Sequence, residues 1–209
     1  KRALLIVPFV SLVMEKERFL EKVFNESIGI TVEGSYANSA SNRGYDDEVA
    51  NVSICTIEKA NAYVNKAIEE GTVGGIGIVV VDEIHMLAEG GRGALLQQLI
   101  TKLRLVAGDS LQIVGLSATL PILDVIASWL DACAYQTDFR PVELTEYVVI
   151  GSQVYDRDLS TVVKTLPDAS PSDIDLMLTL SLEVLEEGHS ALVFCGSKHY
   201  AEQTCASLA

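Results

Sequence analysis

Two adjacent carboxylates, Asp82 and Glu83, stand directly after residues 76–81, an apolar run that is typical of a buried strand. Two charges at such a place cost free energy through desolvation and mutual repulsion unless a partner compensates them. Mg²⁺ is one such partner, because it binds one or two carboxylates together with phosphates and waters. The second carboxylate, directed at a water, would serve as a base for attack on a phosphoryl group. The alternative is a strand end whose acids are simply solvated.

Three further polar side chains lie at the end of a predicted strand or shortly after it. His85 comes two residues after Glu83, where it would report the state of the acidic site to a neighbouring element. Ser117 and Thr119 stand at the end of the next predicted strand, residues 111–116, and two hydroxyls there can bond to neighbouring carboxylates. Taken alone, they are equally typical of a helix N-cap. Beside the string DEIH, a coupling role is favoured.

The elements that must position these groups alternate between strand and helix patterns. The predicted strands are apolar on both faces and are separated by amphipathic helices, two of which close at a glycine. This pattern predicts an α/β fold with a parallel sheet covered by helices on both sides. Ligands of such sheets lie beyond the carboxyl ends of the strands. The predicted strands are 3–9, 29–36, 51–57, 76–82 and 111–119, and the predicted helices are 11–24, 58–71, 92–108 and 121–132.

The rhythm changes after Phe139. Residues 139–170 contain a mostly solvated strand and a turn-rich stretch, which predicts a connector. A helix, a glycine stop, a strand at 191–195 and the start of another helix follow. Residues 171–209 are therefore expected to open a second α/β domain, and residues 1–138 to form the first.

The net charge of −14 argues against a broad basic surface for nucleic acid, although a narrow cleft with local positive potential is compatible with it. The acid excess is concentrated in residues 151–188, where eight acidic residues face two basic ones, and we expect a solvated face there. No apolar run approaches the roughly 18 residues that a membrane span needs.

The cysteines and histidines argue against a structural zinc site. No CxxC pair is present, and the three histidines are scattered. Cysteines in apolar runs indicate a reducing compartment, cytosol or nucleus, and we expect them to act as small buried hydrophobes. They are Cys55, Cys133, Cys195 and Cys205.

The strings VVVDEIHML and QIVGLSATLP resemble motifs II and III of superfamily 2 helicases of the DExH type. Further motifs agree in the same order: LLIVPFVSLVMEK resembles motif Ia, CTIEKAN motif Ib, and ALVFCGSK motif IV. The strings TIEKAN, GRGALL and TDFRPVEL are most similar to the polymerase-theta group of these helicases. The resemblance covers nearly the whole chain, and it implies a RecA-like parallel sheet followed by the start of a second RecA-like domain.

The resemblance implies a role for each matching residue of a nucleotide site. Asp82 would coordinate Mg²⁺ through water, and Glu83 would orient or deprotonate the attacking water. His85 would link the nucleotide site to the motif III strand, and Ser117 and Thr119 would couple hydrolysis to movement. ATP and Mg²⁺ are therefore the expected cofactors.

A second set of residues would approach the backbone of a bound nucleic acid strand. Hydroxyls, amides at helix starts and lysines are plausible phosphate binders, while ordinary caps and solvated lysines are the alternative. Arg92 and Gly93 are either a loop that touches the strand or a turn into a helix, and the turn is favoured. The set comprises Pro8, Phe9, Val10, Ser11, Thr56, Glu58 and Lys59 from the first domain, and Ser197 and Lys198 from the second.

Two parts of the helicase pattern are missing from these residues. The chain contains no GxxxxGK[ST] string, so the glycine-rich phosphate cradle is expected upstream of Lys1. The arginine finger of the second domain is expected beyond Ala209. We therefore expect the chain by itself to have negligible ATPase activity.

These inferences favour the middle of an ATP-driven motor that moves along nucleic acid. The resemblance implies DNA rather than RNA, a part in DNA repair and a nuclear location, with no membrane association. The alternative is a non-catalytic module that uses the same fold to hold nucleic acid or a protein. A metal-dependent hydrolase ranks last, because the paired acids lack the further ligands that such sites gather.

Overall fold

The computed structural model describes residues 1–35, 50–118, 122–168, 173 and 175–208, without the side chains of residues 25–27 and 208. Its contacts divide the chain into two compact units, Lys1–Gln136 and Thr137–Ala209.

The first unit alternates strands and helices in the order that the sequence predicts. Its predicted elements are confirmed, with ends that shift by a few residues. The strands are β1 (Arg2–Val7), β2 (Val32–Ser35), β3 (Val52–Thr56), β4 (Ile76–Val81) and β5 (Gln112–Gly115). The helices are α1 (Val10–Ile28), α2 (Ile57–Glu69), α3 (Arg92–Ala107) and α4 (Leu123–Leu130).

The five strands form one parallel sheet in the order β2-β3-β1-β4-β5. β2 and β3 lie on one side of β1, and β4 and β5, which come later in the chain, lie on the other side. All strands run in the same direction, so their carboxyl ends share one edge of the sheet. The strand order reverses between the paired strands β1 and β4. Ligands of open α/β sheets bind at such a point, beyond the carboxyl ends of the strands.

Helices cover both faces of this sheet, and alternate residues of β1 point to opposite sides. Leu4 and Ile6 pack into the core that α2 and α3 cover. Leu5 and Val7 pack into the core that α1 covers through Val13. Each fully buried leucine or isoleucine contributes roughly 1.5–3 kcal/mol relative to exposure. This two-sided core fixes the positions of the strand ends.

The second unit is built differently. An antiparallel sheet of three strands packs through a small core around Val154, Leu166 and Leu176. This sheet lies inside the segment that the sequence analysis treats as a connector. Its strands are β6 (Tyr147–Ile150), β7 (Gln153–Asp156) and β8 (Val162–Thr165), and the helices of the unit are α5 (Met177–Glu186) and α6 (Lys198–Leu208).

The strand predicted at residues 191–195 is wrong. These residues pair with no strand among those that the structure describes, and Leu192 and Phe194 are 80% and 90% exposed. A strand exists only where a neighbour completes its backbone hydrogen bonds. An apolar run does not by itself provide that neighbour, and β6, β7 and β8 pair with one another instead.

All four cysteines are free, but they differ in burial. Cys55 is buried and Cys195 half-buried, whereas Cys133 and Cys205 are exposed, so the expectation of burial is wrong for the last two. Cys133 follows the end of α4, and Cys205 lies on the exposed side of α6. Burial raises the pKa of the Cys55 thiol to about 12, which makes it unreactive.

Across the described residues, no helix combines the length and the apolar character that crossing a bilayer requires.

Candidate functional site

The acidic pair lies at the carboxyl edge of the sheet, beside the central strand. The N–H of Asp82 donates to the carbonyl of Ile6 at 2.9 Å, so the ladder between β4 and β1 continues one residue beyond β4. Asp82 is half-buried, and the side chain of Glu83 is 38% exposed. Both carboxylates therefore follow the carboxyl end of β4, as the sequence predicts, and the structure adds that the strand order reverses there.

The backbone of Glu83 adopts a left-handed conformation, with φ 54° and ψ 47°. A residue with a side chain rarely adopts this conformation, which costs of order 1 kcal/mol or more and clusters at functional sites. The N–H of Glu83 donates to Asp82 Oδ1 at 3.1 Å, and the N–H of Ile84 donates to the carbonyl of Leu116 at 2.9 Å. These bonds hold the turn that leads from β4 into a 3₁₀ segment, Ile84–Ala88.

His85 brings the acidic pair and the end of β5 together. Its Nδ1 lies 3.2 Å from Glu83 Oε2 and 3.1 Å from Ser117 Oγ. With a proton on Nδ1, the ring donates to the carboxylate. The N–H of Leu116 donates to the carbonyl of Val81 at 2.9 Å, which ties the end of β5 to the end of β4.

Gly115 allows this close approach. A Cβ at that position would lie 2.7 Å from Ile84 Cδ1, so a side chain there would require the Ile84 side chain to move. Thr119, the second predicted hydroxyl of this strand end, lies outside the described residues.

The available donors can be compared with what a metal needs. Among the described residues, no three His, Cys, Asp or Glu side chains converge on one point. The acidic pair offers one or two carboxylates, which is the share that proteins commonly supply to Mg²⁺ when phosphates and waters complete its shell. The donor set fits a magnesium–nucleotide complex and does not fit a four-ligand structural zinc.

The predicted nucleic-acid-binding residues of the first unit lie at the other half of the same edge. Val7 pairs with Thr56 in the sheet register, so the segments that follow β1 and β3 are neighbours. We call them the loop after β1 (residues 8–11) and the loop after β3 (residues 56–59), and each includes the first residues of the helix that follows. α1 begins at Val10 and α2 at Ile57, and the first amides of each helix have no partner within the helix. Two adjacent helix starts favour an anion such as a phosphate.

The side chains of these loops differ in burial. Pro8 and Thr56 are buried, whereas Phe9 is 56% exposed. The remaining predicted residues of the two loops are exposed except for Lys59, which is half-buried; the exposed ones are Val10, Ser11 and Glu58.

Glu58 occupies the start of α2 with its own carboxylate. Burial alone would raise the pKa of this carboxyl, but hydrogen bonds from its own N–H, from the Thr56 hydroxyl and from Arg92 lower it on balance. Glu58 is therefore charged at neutral pH. No acidic residue stands in the first turn of α1, so that helix start remains open to an anion.

Arg92 connects the two loops. Its Nε donates to Glu58 Oε1 at 2.9 Å, and its Nη2 donates to the carbonyl of Pro8 at 2.5 Å. The guanidinium carbon lies 5.6 Å from the centre of the Phe9 ring, within the range of a cation–π interaction.

The sequence favours a turn into a helix at Arg92 and Gly93, and α3 does begin at Arg92. The contacts of Arg92 with the two loops were missed. One signal was available, because a cation in the first turn of a helix opposes the helix dipole and needs a compensating contact.

In the second unit, Ser197 and Lys198 make the local contacts that the alternative interpretation describes. Ser197 Oγ accepts the N–H of Tyr200 at 3.1 Å and so caps α6. Lys198 is 92% exposed, with Nζ 3.9 Å from Glu202 Oε1. Their part in nucleic acid binding stays a prediction.

Comparison with known proteins agrees with this geometry. Residues 1–126 match the DEAD/DEAH box helicase family. The chain is 41% identical to DNA polymerase theta of Mus musculus over 218 residues, which cover 97% of this chain and 8% of that protein. It is 36% identical to the helicase POLQ-like protein of Homo sapiens over 214 residues, which cover 97% of this chain and 19% of that protein.

The fold has a counterpart among solved structures. The structure of Mycobacterium smegmatis helicase Lhr bound to ssDNA and AMP-PNP matches with a TM-score of 0.64 and 23% identity, covering 100% of this chain and 28% of that one.

The sheet order, the flanking helices and the acids at the carboxyl edge define a RecA-like α/β domain, in agreement with the fold likeness to Lhr. The chain belongs to the DEAD/DEAH box helicase family. The predicted similarity to polymerase theta and its helicase relative is confirmed. The chain spans 8% and 19% of the length of these two relatives.

Proposed function

We propose that the chain is the central part of an ATP-driven DNA helicase or translocase of the polymerase-theta type. In this proposal it supplies the half of the ATP site that activates water, together with loops that contact the DNA strand. The observation that carries the proposal is the acidic pair at the carboxyl edge, which His85 joins to the end of β5.

In the nucleotide half, Asp82 would hold Mg²⁺ through water, and the bound cation would neutralise charge on the phosphates of ATP. Glu83 would orient or deprotonate the attacking water. His85 contacts both the Glu83 carboxylate and the Ser117 hydroxyl. A shift of the Glu83 carboxylate would therefore move His85 and, through it, Ser117 at the end of β5. Ser117 and Thr119 would thereby couple hydrolysis to movement.

In the strand-binding half, the loops after β1 and β3 would contact the phosphate backbone through helix-start amides and hydroxyls. DNA is proposed over RNA because a named relative is DNA polymerase theta and because the Lhr structure is bound to ssDNA. A net charge of −14 restricts such contact to a narrow region. The proposed residues are Pro8, Phe9, Val10, Ser11, Thr56, Glu58, Lys59, Ser197 and Lys198.

The proposal includes a domain plan and a cellular role. Residues 1–138 form the first RecA-like domain, residues 139–170 connect, and residues 171–209 open the second RecA-like domain. The complete protein acts in DNA repair in the nucleus. The similarity to polymerase theta supports this role.

The test uses the complete protein that contains this chain, with Glu83→Gln as the variant. We expect the variant to bind ATP and to lose its turnover, because glutamine fills the same space and cannot accept the proton. Glu89→Gln, at an exposed position just after the 3₁₀ segment, is the matched control. Normal hydrolysis in the Glu83 variant would refute the assignment. A complete protein that binds DNA and does not hydrolyse ATP would favour the non-catalytic module.

A further inference from the structure

We propose that Arg92 is a positioning residue that holds the loops after β1 and β3 in one arrangement for contact with the phosphate backbone of a nucleic acid strand. The inference rests on the proposed function and gives a role to Arg92, for which the sequence favours a turn into a helix over a loop that touches the strand.

The guanidinium group of Arg92 makes contacts in three directions. Nε donates to the Glu58 carboxylate at the start of α2, Nη2 donates to the Pro8 carbonyl, and the flat face covers the Phe9 ring. Pro8 and Phe9 belong to one loop and Glu58 to the other. A planar fork of donors can satisfy all three contacts together, whereas an ammonium group is a single point charge.

Arg92 has little exposed surface and few free donors left for a contact of its own with a phosphate. Its side chain is 34% exposed, and two of its nitrogen atoms already donate to protein oxygens. Its charge is paired with Glu58. Arg92 is thus poorly placed to neutralise a phosphate, and it acts on the bound strand through the loops that it connects.

Arg92 also neutralises the charge of Glu58 at the start of α2. An unpaired carboxylate at the start of α2 would repel a phosphate approaching the same helix start. The ion pair with Arg92 offsets that repulsion, with 2.9 Å between Nε and Oε1. Glu58 is then a residue that orients Arg92, and the open start of α1 is the place for the phosphate.

The start of α3 packs closely against the backbone of Met86 and Leu87. A Cβ on Gly93 would lie 2.5 Å from the carbonyl oxygen of Met86 and 2.8 Å from that of Leu87. The start of α3 therefore packs directly against the 3₁₀ segment that follows Glu83. This packing fixes the base of the Arg92 side chain, so its reach toward both loops is built into the fold.

The experiment measures single-stranded DNA binding by the complete protein as a function of salt, for wild type, Arg92→Gln and Arg92→Lys. We expect both variants to weaken binding by about tenfold, because each loses the forked contact. We expect the slope of log K against log salt to stay close to wild type. If Arg92 instead contacted a phosphate, Arg92→Gln would lower the slope by about 0.7 for single strands, and Arg92→Lys would restore it.

A kinetic measurement separates positioning from a general loss of structure. The concentration of single-stranded DNA that gives half-maximal stimulation of ATP hydrolysis should rise about tenfold in both variants. The KM for ATP should rise much less. A parallel rise in both quantities would mean that the substitution damages the fold, and would overturn the proposal.

A double-mutant cycle tests the partner. Glu58→Gln should weaken DNA binding, and the double variant Glu58→Gln/Arg92→Gln should be no weaker than Arg92→Gln alone, since the two side chains act as one unit. Arg18→Gln, at an exposed arginine of α1, is the control for loss of one positive charge. Additive effects of the two substitutions would contradict the proposed pair.

Failure of this inference is distinguishable from failure of the proposed function. If Arg92→Gln binds DNA like Arg18→Gln while Glu83→Gln loses ATP turnover, Arg92 has no positioning role and the helicase assignment stands. If Glu83→Gln keeps normal turnover, the proposed function itself fails. Should Arg92→Gln fold poorly, Arg92→Lys keeps the charge and most of the length and decides between the outcomes.

Discussion

The two halves of the carboxyl edge handle negative charge in opposite ways. At the ends of β4 and β5, Asp82 and Glu83 stand side by side, and among the described residues no lysine or arginine pairs with either; His85 Nδ1 lies 3.2 Å from Glu83 Oε2. At the ends of β1 and β3, Glu58 is paired with Arg92. Carboxylates without a lysine or arginine partner attract a metal cation and its phosphates, whereas a carboxylate paired with arginine leaves the neighbouring helix-start amides free to bind an anion. In the proposed function, this difference separates the metal–nucleotide site from the strand-binding site on one sheet.

Backbone strain follows the same division. Glu83 has φ 54°, whereas Phe9 and Thr56, which precede α1 and α2, have ordinary extended conformations. Strain of this kind persists only where surrounding bonds hold it, and it marks sites that need a fixed geometry. Chemistry on a phosphoryl group needs such precision more than contact with a strand backbone does.

The sharpest way to break the comparison is Glu83→Gln in the complete protein. We expect kcat for ATP hydrolysis to fall by about 10²–10⁴-fold, the usual contribution of a positioned acid or base. A steady-state ATPase assay at saturating DNA measures it, with Glu89→Gln as the control. Retained turnover would mean that the half of the edge that carries Asp82 and Glu83 is not the ATP site.

Gly93→Ala tests the packing that joins the two halves. The added methyl group would lie 2.5 Å from a backbone carbonyl that cannot move freely. Overpacking of this kind costs about 1–3 kcal/mol, which exceeds the gain of up to about 1 kcal/mol from replacing glycine in a helix. Native-state hydrogen exchange of the α3 amides should show the loss of local stability. Gly90→Ala is the matched control, because a Cβ there meets nothing within 4 Å; equal protection in the two variants would contradict the packing argument.

Ser117→Ala tests the link between the acidic pair and β5. Loss of a hydrogen bond worth about 1 kcal/mol should lower DNA-stimulated ATP hydrolysis about fivefold. In a His85→Ala background the same substitution should have no further effect, because its partner is gone. The measurement is the ratio of stimulated rates with and without Ser117 in both backgrounds. An undiminished effect without His85 would show that Ser117 acts through another contact.

The smallest expected effect is the pH dependence of the stability that the ion pair between Glu58 and Arg92 contributes. The pKa of Glu58 is lowered in the fold, so its ion pair stabilises the protein above the ordinary glutamate pKa and is lost as the pH falls through the lowered value. The difference in thermal midpoint between wild type and Glu58→Gln should therefore be constant from neutral pH to about 5 and shrink below about 4.3. Glu58 is half exposed, so the effect is at most about 0.5 kcal/mol. A difference that does not depend on pH would show that the carboxylate is not paired.

Local patterns were sufficient for most of the first unit. The apolar run before Asp82 predicted both β4 and the acidic strand end, because a strand that is apolar on both faces has few alternatives inside a parallel sheet. The same logic failed at residues 191–195. An apolar run there forms no strand, since a strand needs a neighbour and the sequence does not say which neighbour is present.

The amino-acid sequence by itself determined the alternation of strands and helices and the residue types at each strand end, because these depend on side chains a few residues apart. Only the tertiary structure decided which strand ends meet. Ser117 reaches His85 across 32 residues, and Arg92 reaches Glu58 across 34 and Pro8 across 84. The first contact exists because β5 lies beside β4, and the other two exist because β1 lies between β3 and β4; strand order is set by the packing of the whole sheet.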